Sequence, residues 1–249
     1  MMIEPRFYRD QMGKDRFSHF TIGYKDSDLW IGIDPPTFKN SIAVFAQEQL
    51  VSLRTELENY ITTHPEFAVS FVPVTVAQHA PTIAKIMAEA GEKAGTGPMA
   101  AVAGAFAEFI GKSIQKEFGV KEIVVENGGD IYLSVADDLI FSVFAGKSAL
   151  TGKIGIEIKA TETPLGICTS AGTVGPSISF GKADAVVVVS KNCAIADAYA
   201  TAIGNTIKQY TDIELALNKA KTNTEIKFLL AICEGKVGLQ GNFTICPLK

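Results

Sequence analysis

Asp197 and Thr201 are the residues of this chain best spaced for chemistry. In the run "ADAYATAIGN" they stand four apart, so on a helix a carboxylate and a hydroxyl share one face, a turn from each other. The rest of that face is small and apolar. A carboxylate among alanines is costly to desolvate unless something positive or hydrogen-bonding meets it. A hard cation answers that need, because magnesium prefers oxygen ligands and commonly uses one or two protein carboxylates together with substrate phosphates. The competing reading is structural, with Asp197 an early-turn residue favoured by the helix dipole.

Three polar, glycine-bearing breaks interrupt otherwise apolar structure: "GTGPMAA" at 95–101, "ENGGD" at 126–130 and "CTSAGTVGPS" at 168–177. Such loops offer backbone N–H groups and short side chains, the equipment for cradling phosphate at a helix start or in an amide nest. Each is also an ordinary turn sequence. Other candidates are weaker. His19, His64 and His79 are scattered, with no HxxxH or HExxH spacing that would make them metal ligands. Ser170 has no histidine nearby in sequence, and neither a GxSxG elbow nor a Walker loop is present. Lys182 and Asp184 could touch a ligand, but they read better as a solvated pair at a strand entrance. Cys168, Cys193, Cys233 and Cys246 form no CxxC pair and sit in apolar runs, which predicts buried free thiols rather than disulfides or zinc ligands.

The elements that must position these residues follow from periodicity. "HFTIGYKDSDLWIGI" predicts two strands joined by a turn, and helical spacing predicts a helix from Asn40 to about Tyr60, ended by "HPEF". "AVSFVPV" reads as a short strand, and "APTIAKIMAEAGEKAG" as a helix from Pro81 to about Gly95. "GTGPMAAVAGAFAEFIGKSIQKEFG" predicts a helix whose first turns are almost all small, allowing close approach by a neighbour. Strands are expected near 121–126, 130–136 and 139–145, then at "IGIEIKA", "LGICTSA" and "DAVVVVS". A helix from about Ala194 through "IADAYATAIGNTIKQY", a short helix at "IELALNKAK" and a closing hairpin through "FLLAICEGKVGLQGNFTI" complete the chain. Strands grouped with helices, rather than alternating with them, predict an α+β fold.

Composition sets outer bounds. The chain has 249 residues, 47% hydrophobic and 20% charged, a mixture suited to a well-buried globule. One core is expected. A net charge of −4 argues against nucleic acid as a partner, since that requires basic patches. No apolar run is long enough to span a bilayer, and the N-terminal stretch has no h-region of a secretory leader. No membrane partner and a cytoplasmic location are the expectations.

The ordered motifs "ENGGDI", "CTSAG" and "ADAYATA" resemble the NxGGD, TSG and ADxxxT signatures of the ApbE-like superfamily, which includes the FAD:protein FMN transferases once linked to thiamine biosynthesis. "GPMAAVAGAFAE", "ENGGDIYL", "TSAGTVGPSISFGKADAV" and "ADAYATAIGN" are closer still to a smaller cytoplasmic branch. This resemblance covers nearly the whole chain and implies a single ApbE-like, T-fold-related α+β domain over 1–249, with antiparallel or mixed sheets and packed helices. It also implies a cleft that binds a flavin nucleotide, FAD or FMN, or a similar diphosphate, with Mg2+. Carried over from the family, the metal would be held by Asp197, Thr201, the carbonyl of Ala200 and a carbonyl near Ala100. Gly97, Pro98 and Met99, with Gly128, Gly129, Asp130, Thr169 and Ser170, would line the nucleotide.

Departures from the family pattern are equally specific. The transferases' HxxDPxTG motif is replaced by "PSISFGKAD", and Gly97 and Ala103 stand where an acidic and a basic ligand contact would be. The resemblance therefore implies a retained metal and phosphate site with altered base contacts. An enzyme related to flavin transfer, moving FMN or hydrolysing FAD, is one reading. A non-flavinylating accessory protein of anaerobic sulfur assimilation into homocysteine is the other. Homo-oligomerisation through the small-residue helix is a further expectation.

Overall fold

The computed structural model describes Arg9, Met12, Gly13 and residues 16–172 and 180–248. The alternating "SHFTIGY" and "SDLWIGI" form strands β1 (Ser18–Tyr24) and β2 (Ser27–Ile33), joined by a two-residue turn in which Lys25 takes φ +54°. Helix α1 (Asn40–Thr63) follows and buries Ile42, Ala46, Leu50, Leu53, Leu57 and Tyr60, the stripe that helical spacing predicts. Helix α3 (Thr82–Ala94) starts after Pro81 and stops at Gly95, whose φ of +73° suits a residue without Cβ. Between them, α2 (Glu66–Val69) is a single turn. Helix α4 (Val102–Phe118) enters through the 3-10 turn Pro98–Ala101.

The next segment builds β3 (Ile123–Asn127), β4 (Asp130–Ser134), β5 (Leu139–Ser142), β6 (Ile154–Ile158), β7 (Leu165–Ser170) and β8 (Ala185–Ser190). Helices α5 (Cys193–Thr206) and α6 (Ile213–Lys221) then precede β9 (Phe228–Cys233), β10 (Lys236–Gly241) and β11 (Ile245–Pro247). Eight strands form one sheet in the order β1-β2-β3-β4-β7-β8-β9-β10, every neighbouring pair antiparallel. The excursion between β4 and β7 supplies β5 and β6, which join β11 in a three-stranded antiparallel sheet.

Two apolar layers cover the large sheet. The helices close one face and the small sheet closes the other. Strand β8, "AVVVVS", shows why its sequence does not alternate: Val186 and Val188 enter the helix-side core while Ala185, Val187 and Val189 enter the other. A strand buried on both faces reads as a continuous apolar run. The expected α+β architecture is the one observed, with antiparallel sheets throughout the described residues.

Three local expectations are corrected. "AVSFVPV" is not a strand: its first residues finish α2, and the rest is irregular, with Val69, Phe71 and Val72 exposed. Ser70 is packed against the backbone of Gly97, where a Cβ would stand 1.7 Å from the Ser70 carbonyl oxygen, so this stretch packs on a loop and not on a sheet edge. Helix α5 ends at Thr206; Ile207 leaves in extended form, and Tyr210 opens a 3-10 turn (Tyr210–Asp212) whose capping box is made by Gln209 and Asp212. The final hairpin stops at Gly241, and β11 crosses to pair with β6. Among the described residues, no helix is long and apolar enough to cross a membrane.

Candidate functional site

The site is organised by the crossing of α4 and α5, which the small residues permit. A Cβ on Gly104 would lie 2.4 Å from the Cys193 carbonyl oxygen, and one on Gly166 2.3 Å from the Cys193 Cα. With both absent, the start of α5 wedges between α4 and β7. The two helices then terminate each other. Asp197 Oδ2 on α5 accepts the Gly104 N–H in the first turn of α4 at 2.9 Å, and Glu108 Oε2 on α4 accepts the Cys193 N–H in the first turn of α5 at 2.6 Å. Asn192 adds a conventional cap by accepting the Ile195 N–H at 2.9 Å. Part of the reason for Asp197 is thus structural, but not the one expected: it is the fifth residue of α5, past the first turn of its own helix, and it caps the start of α4 instead.

The "NGGD" run is the turn of the β3–β4 hairpin. Asn127 pairs with Asp130, leaving Gly128 and Gly129 as the two turn residues with φ +70° and +101°. Two successive positive φ values are what a tight hairpin turn of this type demands, and glycine meets them without strain. The Gly129 N–H is already engaged, donating to Glu126 Oε1 at 2.8 Å. A ligand lying against this turn would meet its glycine Cα atoms and not that amide. Asn127 Nδ2 donates to the Ala103 carbonyl at 3.1 Å, tying the hairpin to the start of α4.

Glu126 is fully buried and takes its counter-charge from the N-terminal segment. Arg9 Nε stands 2.5 Å from Glu126 Oε2, while its Nη1 reaches Asp28 Oδ2 at 2.9 Å and its Nη2 the Asp28 carbonyl at 2.8 Å. Nothing in the sequence pattern pointed to this pair, whose members lie 117 positions apart.

The three glycine-bearing loops converge on one cleft of about 2440 Å3, larger than the roughly 300–1,000 Å3 that a small ligand site needs. Gly97, Met99 and Ala100 line it from the entry to α4; Gly128, Gly129 and Asp130 from the hairpin; Thr169 and Ser170 from the end of β7; and Asp197 and Thr201 from α5. Pro98 and Ala200 are buried and are not among the lining residues. Residues 173–179 of the "CTSAGTVGPS" run lie outside the described residues.

Electrostatically, the deep end of this cleft is short of positive charge. Burial drives the Asp197 carboxyl up to about 7, against the pull of the Gly104 and Ala103 amides. Burial likewise pushes Asp130 well above the usual carboxylate range, and the neighbouring Asp197 and Glu126 charges push it further, against hydrogen bonds from Cys168 and the Thr169 backbone. Among the described residues, no lysine or arginine shifts either of them. Two buried carboxylates with a hydroxyl one turn away are suitable ligands for a hard cation, which would supply the missing charge. Among the described residues no group of three histidine, cysteine or acidic side chains could hold a metal. Further ligands would come from hydroxyl, carbonyl and phosphate oxygens, as suits magnesium and not zinc.

The poorer candidates stay poor. His19 stacks on Trp30 and His64 on Tyr60, and none of the three histidines lines the cleft. Lys182 and Asp184 do not line it either. All four cysteines are free. Cys168, Cys193 and Cys233 are buried, but Cys246, on the short strand β11, is only half-buried, a correction to the expectation of four buried thiols. Gly97 cannot be replaced by an acidic contact residue without displacing Ser70, so the departure from the transferase pattern there is built into the packing.

This fold is that of the ApbE proteins. It is similar to the flavin transferase ApbE from Vibrio cholerae at a TM-score of 0.56 and 12% identity, covering 92% of this chain and 96% of that one. The ApbE protein from Thermotoga maritima is comparable, with a TM-score of 0.56, 12% identity, and coverage of 90% and 97%. A family model described as AbpE bacteria matches residues 9–226. The UPF0280 protein of Methanocaldococcus jannaschii is 44% identical over 201 residues, 79% of this chain and 81% of its own length; that of Methanococcus maripaludis strain C5 is 40% identical over 225 residues, 89% of each. The chain belongs to the AbpE bacteria family.

Proposed function

We propose that this protein binds a flavin nucleotide, or a similar diphosphate, together with Mg2+ in the cleft between α4, α5 and the β3–β4 turn, and acts on it as a flavin-transferase-like enzyme. The observation that carries the reading is the Asp130–Asp197 pair, buried in the cleft without a cation where three motif-bearing loops meet. Asp197 and Thr201 would hold the ion, with the Ala100 carbonyl as a further oxygen of the family's ligand set; Ala200, buried away from the cleft lining, is not counted. Bound there, magnesium would neutralise charge on the phosphate that leaves when the P–O–P bond is cleaved.

The chain's own groups do the positioning. Gly104 and Ala103 N–H groups fix the Asp197 carboxylate on one side, leaving it aimed from α5 into the cleft. Ser170, near Gly204 on α5, and Thr169 present hydroxyls along the same wall. Their carriers are β7 and α5, both anchored in the core, so the site is built on regular elements and is held in shape before a ligand arrives. Cytoplasmic action on a free nucleotide belongs to this proposal. The sulfur-assimilation reading draws on no feature of the cleft.

Calorimetry with FAD tests the proposal directly. Binding should require magnesium and weaken at least tenfold in Asp197→Asn, with FMN and AMP appearing from FAD only when the ion is present. Magnesium-independent binding of equal affinity in wild type and variant would overturn it.

A further inference from the structure

Two exposed phenylalanines stand at the edge of the same cleft. Phe71 is 60% exposed and Phe180 53%, their rings meet edge to face at a centroid separation of 5.3 Å, and both line the cleft. Large apolar rings left in water are costly, by about 25 cal/mol per Å2 of apolar surface. Mobile loops often tolerate such exposure. Here, however, the backbone carrying each ring is held.

Ser70 is packed against Gly97, and its hydroxyl bridges Val72 by accepting the Val72 N–H at 3.2 Å and donating to the Val72 carbonyl at 2.7 Å. Phe71 is thus clamped between two fixed residues. The Phe180 N–H donates to Asn205 Oδ1 at 2.8 Å, and its carbonyl accepts Lys208 Nζ. The next residue, Gly181, lies so near Gly204 that a Cβ would come within 1.9 Å of its carbonyl oxygen. Both rings are presented to solvent by backbone that has little freedom to withdraw them.

Their placement matches the rest of the site. Asp197, Thr201 and Asn205 are spaced i, i+4 and i+8 on α5, so they run along one side of the helix, and all three line the cleft. From Asp197 to Asn205 the helix rises about 12 Å. That is a reach on the scale of a sugar joined to phosphate. A ligand whose phosphates sit at Asp197 would carry its ring system to the residue that holds Phe180.

We propose that Phe71 and Phe180 form a stacking lip for the planar heteroaromatic ring of the nucleotide, the face of one ring and the edge of the other bounding the subsite. This rests on the phosphate-and-metal reading above and extends it to ring recognition, which the altered motif residues do not supply. Base–aromatic stacking of about 1–3 kcal/mol corresponds to roughly 5- to 150-fold in affinity. The lip accepts any flat ring by stacking, so isoalloxazine and adenine are separated by experiment.

Calorimetry at fixed magnesium would compare pyrophosphate, ADP, FMN and FAD with wild type and with Phe71→Leu, Phe180→Leu and the double variant, each checked for folding by circular dichroism. Leucine retains apolar bulk and removes the flat face. The expected result is at least tenfold tighter binding of a ring-bearing ligand than of pyrophosphate, lost in the double variant while pyrophosphate affinity stays unchanged. ADP and FMN identify which ring the lip takes. Equal affinity for ringed and ringless ligands, or ring-bearing affinity that ignores the substitutions, overturns the lip and leaves the phosphate site standing. Failure of wild type to bind pyrophosphate or any nucleotide with magnesium overturns the site reading and the lip with it. A change only in oligomeric state on substitution assigns the rings to a protein contact and likewise overturns the lip.

Discussion

Stability of the metal-free protein should fall as pH rises from about 5 to about 7.5, and magnesium should remove much of that fall. Burial raises the Asp197 carboxyl from 3.8 to about 7. Between those values the folded chain keeps a proton that the unfolded chain has released, so each step upward in pH favours unfolding. The whole displacement corresponds to about 4 kcal/mol, more than half of it falling between pH 5 and 7.5. Asp130, raised in the same direction, steepens the slope. Burial works to raise Asp34 and Glu122, but hydrogen bonds to both, and Arg16 beside Glu122, outweigh it and lower them; their contribution is present above the usual carboxylate range and is lost on acidification, below this window.

Urea unfolding followed by the single tryptophan, buried Trp30, reads the slope with EDTA and with millimolar magnesium. Asp197→Asn keeps an oxygen for the Gly104 N–H and removes the titration. It should flatten the metal-free profile by roughly 2 kcal/mol across the window and make the variant the more stable protein at neutral pH. A flat wild-type profile in EDTA, or an equally steep one in the variant, would refute the reasoning.

Three further outcomes follow from packing and burial. Arg9→Ala should destabilise the protein by about 3 kcal/mol in urea unfolding, because it breaks a buried ion pair with Glu126. Gly97→Ala should lower Tm by several degrees, the Cβ colliding with the Ser70 carbonyl, whereas alanine at the open but positive-φ Gly119 should cost about 1 kcal/mol from backbone strain alone. In the native state a thiol reagent should modify Cys246 first, while Cys168 and Cys193, buried with thiols pushed up by that burial, react only on unfolding. Rapid native labelling of either would contradict their placement.

How far the sequence could be read depended on whether the controlling contact was local. The Asp197–Thr201 spacing is a property of one helix, and both residues do line the cleft. The small residues of α4 signalled close approach, and Gly104 against Cys193 is that approach. Glycines 128 and 129 were ambiguous because a turn and a cradle ask for the same residue; only the Asn127–Asp130 pairing settles the turn. Glu126, Arg9 and Asn205 act through partners distant in sequence, so no window contains their meaning. Phe71 misled for a different reason. Its apolar neighbours imitate a strand, but Ser70 is pinned to Val72 and, with the Phe71 backbone, lies against Gly97, leaving no edge to join.

The reciprocal carboxylates of α4 and α5 would make any ion held at Asp197 share a fastener with the scaffold. An ion drawing density from Asp197 would tug on the oxygen that secures the opening coil of α4, and Asn127 would pass that strain to the hairpin through the Ala103 carbonyl. Glu108 grips from the opposite side, so neither helix start can slip alone. An ion held at that one atom would therefore bear on the whole crossing, tightening or loosening three elements at once.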